Sequence, residues 1–218
     1  EGIISSKKKY TIYLYDKNKK QYAMISKFIE KNRVQIHKIF FLNDINEIKF
    51  SDVLILATNS TNRFYLLKNI LKTIKIKYLL LEKVVFLDQI TFSKAINLLE
   101  HHKIDTWVNC IRREVRFYNL LKKKIKNQSF KITFTGYKWG MASNLIHFID
   151  LFFFISNGSN IKFTTNFIDK KYQTKRKGFF DIMGKVKIKD DQKNQLILHD
   201  DKKYKHNELK IFFNNNYY

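Results

Sequence analysis

Between residues 10 and 110 the chain alternates short apolar runs with longer amphipathic stretches, and that alternation limits the fold more than any other feature. Runs at residues 10–16 (YTIYLYD), 36–41, 52–58 (DVLILAT) and 77–81 have the length and composition of strands, and residues 106–110 (TWVNC) add one more. Stretches at 20–31, 62–74 and 87–101 repeat apolar positions at helical spacing, as Phe92, Ile96 and Leu99 do. Strands that alternate with helices imply a parallel sheet, because parallel neighbours need a long crossover and a helix supplies it.

Near Ile111 the pattern changes. A basic helix at 114–126 precedes an alternating strand at 130–139 and a helix at about 142–156. Alternating runs at 161–167, 178–189 and 195–199 then predict antiparallel strands. We therefore expect two domains, residues 1–110 built on a parallel α/β sheet and residues 111–218 of α+β type. No internal repeat or proline-rich linker marks the boundary, which rests on the change of pattern alone.

Composition narrows the function classes. With 44% hydrophobic and 16% aromatic residues over 218 positions, the chain can bury a substantial core. Its single cysteine, Cys110, excludes a disulfide framework and any multi-cysteine metal site, so no metal is expected and a cytoplasmic location is the simple inference. The longest apolar stretch, residues 145–155, is too short to span a bilayer and contains His147 and Asp150, so no membrane partner is expected.

The formal charge of +23 invites a nucleic-acid reading. Zero prolines, 6 glycines and lysines spread along the whole chain fit a coding bias instead, and no nucleic-acid partner is expected. The chain opens at Glu1 without methionine and reads as a fragment cut at both ends, with residues 1–4 as the tail of a helix.

Three strand ends carry polar residues where ligands of open α/β sheets bind: Asp16, Thr58 with Asn59, and Glu82 with Lys83. Asp16 can accept hydrogen bonds from both hydroxyls of an adenosine ribose, or simply start the turn Asp16-Lys17-Asn18. Lys83 can stabilise a substrate oxyanion; in a chain this rich in lysine it can equally be solvated.

On the helix after Trp139, offsets of three and four place Ser143, Asn144, His147 and Asp150 on one face. An imidazole there suits proton transfer coupled to alcohol oxidation, while the plainer alternative is a partly buried histidine satisfied by Asp150. Asn109-Cys110-Ile111-Arg112-Arg113 follows a strand and could reach the same crevice.

Taken in order, Asp16, Ala57-Thr58-Asn59, Glu82-Lys83-Val84, Asn109 to Arg113 and Trp139 to Asp150 resemble the landmarks of the glucose-fructose oxidoreductase / inositol dehydrogenase (Gfo/Idh/MocA) family over roughly residues 1–155. The resemblance implies a Rossmann-like dinucleotide-binding domain, here incomplete, and a substrate domain with an open, mainly antiparallel sheet that also forms a homo-oligomer. It implies Lys83 and His147 as the catalytic pair, Asp16, Ala57, Thr58, Asn59, Glu82, Lys83 and Arg112 at the cofactor, and Asn109, Trp139 and Asn144 at the substrate. Val84, Asn59, Arg63 and Ser143 depart from the family's usual proline, proline, histidine and acid.

The implied activity is NAD(P)-dependent hydride transfer to or from a sugar, nucleotide-sugar or cyclic polyol. Asp16 favours NAD, and Lys17, Lys19 and Lys20 leave NADP open. The alternative is a regulatory module on the same fold that binds a dinucleotide or sugar without turnover.

Overall fold

The computed structural model describes residues 6–32, 37–126, 128–156, 158–174, 178–213 and 216–217. The chain divides into two units, Glu1–Leu81 with Val85–Trp107, and Glu82–Val84 with Val108–Tyr218. The expected boundary near residue 110 assigned Lys83 to the first domain; by its contacts, Glu82–Val84 groups with the second unit.

In the first unit, β1 (Thr11–Leu14), α1 (Lys20–Lys31) and β2 (Lys38–Phe41) form a crossover with β1 and β2 parallel, Thr11 opposite Lys38. β3 (Phe50–Leu56), α2 (Arg63–Thr73) and β4 (Lys75–Leu81) repeat the arrangement, with Phe50 opposite Lys75. After α3 (Gln89–His101), β5 (Asp105–Val108) completes a sheet of order β3-β4-β5. β1 and β3 lie in different sheets, as expected of an order in which another strand separates them.

Strand ends in this unit differ from the sequence reading by at most two residues. β1 stops at Leu14, leaving Asp16 in the following turn, and β2 starts at Lys38 rather than at residue 36, which lies outside the described residues along with residues 1–4. α3 starts two residues later than expected, behind Asp88, which accepts from the Thr91 amide at 2.7 Å and the Thr91 hydroxyl at 2.8 Å, bonds that hold its carboxyl below the usual range. Leu67, Ile70 and Leu71 of α2 and Ala95 and Leu99 of α3 close a core with Leu79 and Leu81 of β4.

The second unit continues with α4 (Arg116–Ile125), β6 (Lys131–Gly136), α5 (Met141–Ile155), β7 (Lys162–Gln173), β8 (Phe180–Lys189), β9 (Gln195–Asp200), β10 (Glu208–Phe213) and β11 (Asn216–Tyr217). The sheet order is β11-β10-β6-β9-β8-β7. β6 and β9 pair in parallel while the other pairs are antiparallel, a mixed, mainly antiparallel sheet. β10 was not anticipated, because its charged start hides the alternation of Leu209, Ile211 and Phe213.

α5 lies on this sheet through Phe148, Leu151, Phe152 and Ile155, which meet Ile132, Val186, Ile188, Leu196 and Leu198. Burying each such side chain contributes about 1.5–3 kcal/mol. Alternation sends Lys131, Lys185, Lys187, Lys189 and Lys210 to the opposite face, where Lys189 above all pushes the Lys187 ammonium below its ordinary range. Among the described residues no helix is long and apolar enough to cross a membrane, and no three potential metal ligands cluster.

Candidate functional site

The N-terminus of α5 is built by glycine and two buried carboxylates. Gly140 caps the helix with φ 78°, a left-handed conformation that suits glycine. A β-carbon there would meet Asn144 Nδ2 and Ser143 Oγ at 3.0 Å each, so the same glycine leaves room for the two polar residues of the first turn. Because this cap has no side chain, the amide donors go to other strands. The Ala142 amide donates to Asp181 on β8 at 2.7 Å, and the Lys138 and Trp139 amides donate to Asp200 on β9 at 2.8 and 3.2 Å.

Asp181 also accepts from the Ser143 hydroxyl at 3.1 Å, and the Gly140 amide donates to the Tyr172 hydroxyl at 3.1 Å. Burial pushes the Tyr172 phenol up to about 12 and raises the Asp200 carboxyl. Asp181, Asp200 and Tyr172 escaped the sequence reading. Acids within a strand carry no local signal of what they cap; the one hint was that Asp181 and Asp200 end apolar alternations at positions that should be buried.

On this foundation Asn144 has a fixed orientation. Its Nδ2 donates to the Trp139 carbonyl at 2.9 Å, so its Oδ1 faces the Lys83 ammonium, which donates to it at 3.2 Å and to the Ser143 carbonyl at 2.9 Å. Lys83 is thereby held against the turn of α5 that precedes His147. Two of its three N–H groups are occupied and one remains for a ligand. The peptide bond between Lys83 and Val84 is cis.

His147 is half-buried, and its Nδ1 is enclosed without a hydrogen-bond partner. The ring therefore exchanges protons through Nε2. Burial, then the charges of Lys83 and Arg112, lower its pKa from 6.5, against smaller opposite effects of Glu82 and Asp150. An imidazole so placed favours its neutral form, the form that can accept a proton.

Asp150 does not satisfy this histidine, contrary to the plainer expectation. Arg113 holds it in a two-pronged ion pair, with Nε 3.0 Å from Oδ2 and NH2 on Oδ1, and this bond raises the Arg113 pKa. Arg112 lies over the Phe148 ring at 4.2 Å and donates to the Tyr118 hydroxyl at 3.3 Å.

The other expected site residues divide. Asn109, expected at the substrate, donates to Glu82 Oε2 at 2.9 Å and so fixes the residue before Lys83. Trp139, also expected at the substrate, is a core residue: its ring packs edge-on against Phe134 and Phe148, and its indole N–H goes to the His199 carbonyl at 3.3 Å. It was misread because a tryptophan before a glycine turn looks alike whether it faces a ligand or the core.

In the first unit, Asp16 accepts from the Asn18 amide at 2.7 Å, the turn-starting role, and stays exposed. Ala57, Thr58 and Asn59 are exposed after β3. Arg63, only 1% exposed, donates to the carbonyls of Thr58 and Val85, tying the ends of β3 and β4 together. An arginine in that place was noted as a departure, and its side chain supplies a structural clamp.

No protein-family model and no curated protein sequence matches the chain. Solved structures do. A dehydrogenase (MviM) from Clostridium difficile matches with TM-score 0.62 at 13% identity, over 98% of this chain and 82% of that one. A myo-inositol dehydrogenase from Lactobacillus casei in complex with NAD(H) and myo-inositol matches with TM-score 0.65 at 12% identity, over 94% and 70%. A super-repressor mutant of Gal80p from Saccharomyces cerevisiae matches with TM-score 0.66 at 13% identity, over 93% and 63%. Rossmann-like parallel sheets followed by a mixed, mainly antiparallel sheet give this chain the fold of the Gfo/Idh/MocA-type dehydrogenases.

Proposed function

We propose that the protein is an NAD-dependent oxidoreductase that moves a hydride between a nicotinamide and the hydroxyl-bearing carbon of a sugar, nucleotide-sugar or cyclic polyol. The observation that carries this reading is the Lys83 ammonium bound to Asn144 and the Ser143 carbonyl, one helical turn before a half-buried His147 whose pKa burial lowers. When bound, the nicotinamide supplies the hydride acceptor. His147 takes the hydroxyl proton through Nε2, and the free N–H of Lys83 stabilises the oxygen as negative charge develops on it.

Asp16 is the candidate for the adenosine ribose, with Ala57, Thr58 and Asn59 along the dinucleotide and Glu82 positioning Lys83. Preference for NAD over NADP is supported by Lys19, whose ammonium donates to the Leu42 carbonyl at 2.9 Å instead of standing free for a 2′-phosphate. The likeness to Gal80p supports the alternative, a sensor that binds the same ligands without turnover.

Reduced-nicotinamide absorbance during incubation with a panel of polyols separates these readings. Turnover that falls at least about 100-fold in both Lys83→Ala and His147→Ala supports the catalytic pair; ligand binding without turnover supports the sensor.

Homo-oligomer formation through the sheet of the second unit and a cytoplasmic location are part of the proposal. Because that sheet's open face carries Lys131, Lys162, Lys185, Lys187, Lys189 and Lys210, self-association there should strengthen with salt in sedimentation measurements. Association that salt weakens would assign the interface elsewhere.

A further inference from the structure

The charged groups around His147 are partnered unevenly. Four of them act at the imidazole: Lys83, Arg112, Glu82 and Asp150. The two acids are engaged, Asp150 by Arg113 and Glu82 by the Asn109 amide. The two cations are not matched by acids. Lys83 bonds only neutral oxygens, and Arg112 bonds a phenol and covers an aromatic ring. Neither takes part in the salt bridges among the described residues.

Both are half-buried, so water screens them less than the many exposed lysines of this chain. Two such cations left without anions are held at a cost that a bound anion would remove. Asp150, one turn beyond His147 on α5, is committed to Arg113.

We infer that the ligand of this site carries an oxyanion, a carboxylate or a phosphate, on its hydroxylated ring or chain, and that Arg112 binds it while Lys83 and His147 address the neighbouring hydroxyl. The inference rests on the proposed reading of this helix as the substrate site. It narrows the substrate from any polyol to sugar acids and sugar phosphates. Arg112 is then a specificity residue whose planar fork fits a carboxylate or phosphate, while the Phe148 ring keeps that fork in place.

The test is a titration of the whole chain, labelled at its histidines, with glucuronate, glucose 6-phosphate, glucose and adenosine diphosphate, following the His147 resonances. Glucuronate or glucose 6-phosphate should bind about tenfold more tightly than glucose, a difference of about 1.4 kcal/mol. Comparison of the two anions distinguishes carboxylate from phosphate. Arg112→Gln should abolish the preference, and Arg112→Lys should restore part of it.

Equal binding of glucose and the two anions, or a preference that survives Arg112→Gln, overturns the inference. A response to adenosine diphosphate alone gives these cations to the cofactor and overturns it as well. The dehydrogenase reading fails separately: turnover of a neutral polyol together with equal binding would retain that reading and sink only the anion.

Discussion

The two units of this chain solve the burial problem differently. In the second, one long apolar helix covers one face of a six-stranded sheet, and Phe148, Leu151 and Phe152 are each 1% exposed or less. In the first, α1 has no buried residue, and Tyr13 and Phe40 stack on each other at 45% and 47% exposure. Phe50, Val53 and Ile55 of β3 are about as open. Parallel strands are normally covered on both faces. Rigid support therefore lies with the second unit, and the Lys83–Asn144–His147 constellation is anchored there, on capping carboxylates that are themselves buried.

The largest effects should follow that division. Phe152→Ala removes a fully buried ring and should cost about 3–5 kcal/mol in urea unfolding. Tyr13→Ala, in the open sheet, should cost about 1 kcal/mol or less. Comparable losses at the two positions would erase the contrast.

Arg63→Met probes a place where the first unit depends on a buried charge. Two hydrogen bonds from a guanidinium to the Thr58 and Val85 carbonyls are lost, and about 1.5–3 kcal/mol should go with them. Protease cleavage concentrated in residues 57–62 would be the accompanying sign. A variant as stable as the parent would mean that the clamp is dispensable.

Gly140→Ala should cost about 1–2 kcal/mol, because the left-handed conformation opposes a β-carbon. That carbon would also press on Asn144, so the Asn144 side-chain amide resonances should move in this variant. Loss of stability with those resonances unmoved would separate the cap from the site.

The smallest effect is on pH dependence. Burial first, then neighbouring lysines and Arg112, hold His147 and His199 below 6.5, so the folded state binds their protons less readily than the unfolded chain. Stability is complete above pH 6.5 and should decline as the pH falls below it, an effect that His147→Gln with His199→Gln should reduce. Stability that rises on mild acidification would contradict this sign.

How far the sequence reached depended on the range of the interactions involved. The strands and helices of residues 10–110 were legible because their apolar runs repeat at short periods. β10 was hidden because its pairing with β6 is a long-range event unmarked by its own charged start. The pairing of Lys83 with Asn144 spans 61 positions, and no local pattern predicts such a meeting; order along the chain suggested it. Asp181 and Asp200 were missed for the same reason, since Asp181 caps α5 and Asp200 holds the turn before it, 39 and 62 positions away. Trp139 was misplaced because composition cannot tell a ring against a ligand from a ring in a core.

The central claim is that Lys83 and His147 act on one reacting oxygen, which requires that the lysine charge be felt at the imidazole. Histidine-resolved NMR titration of the parent and of Lys83→Met measures this directly, with Arg112, Glu82 and Asp150 left in place as the other charges. The account predicts a His147 pKa below 6.5 in the parent and a higher value in Lys83→Met. A value unchanged by the substitution would place the two side chains in separate environments and contradict the paired site.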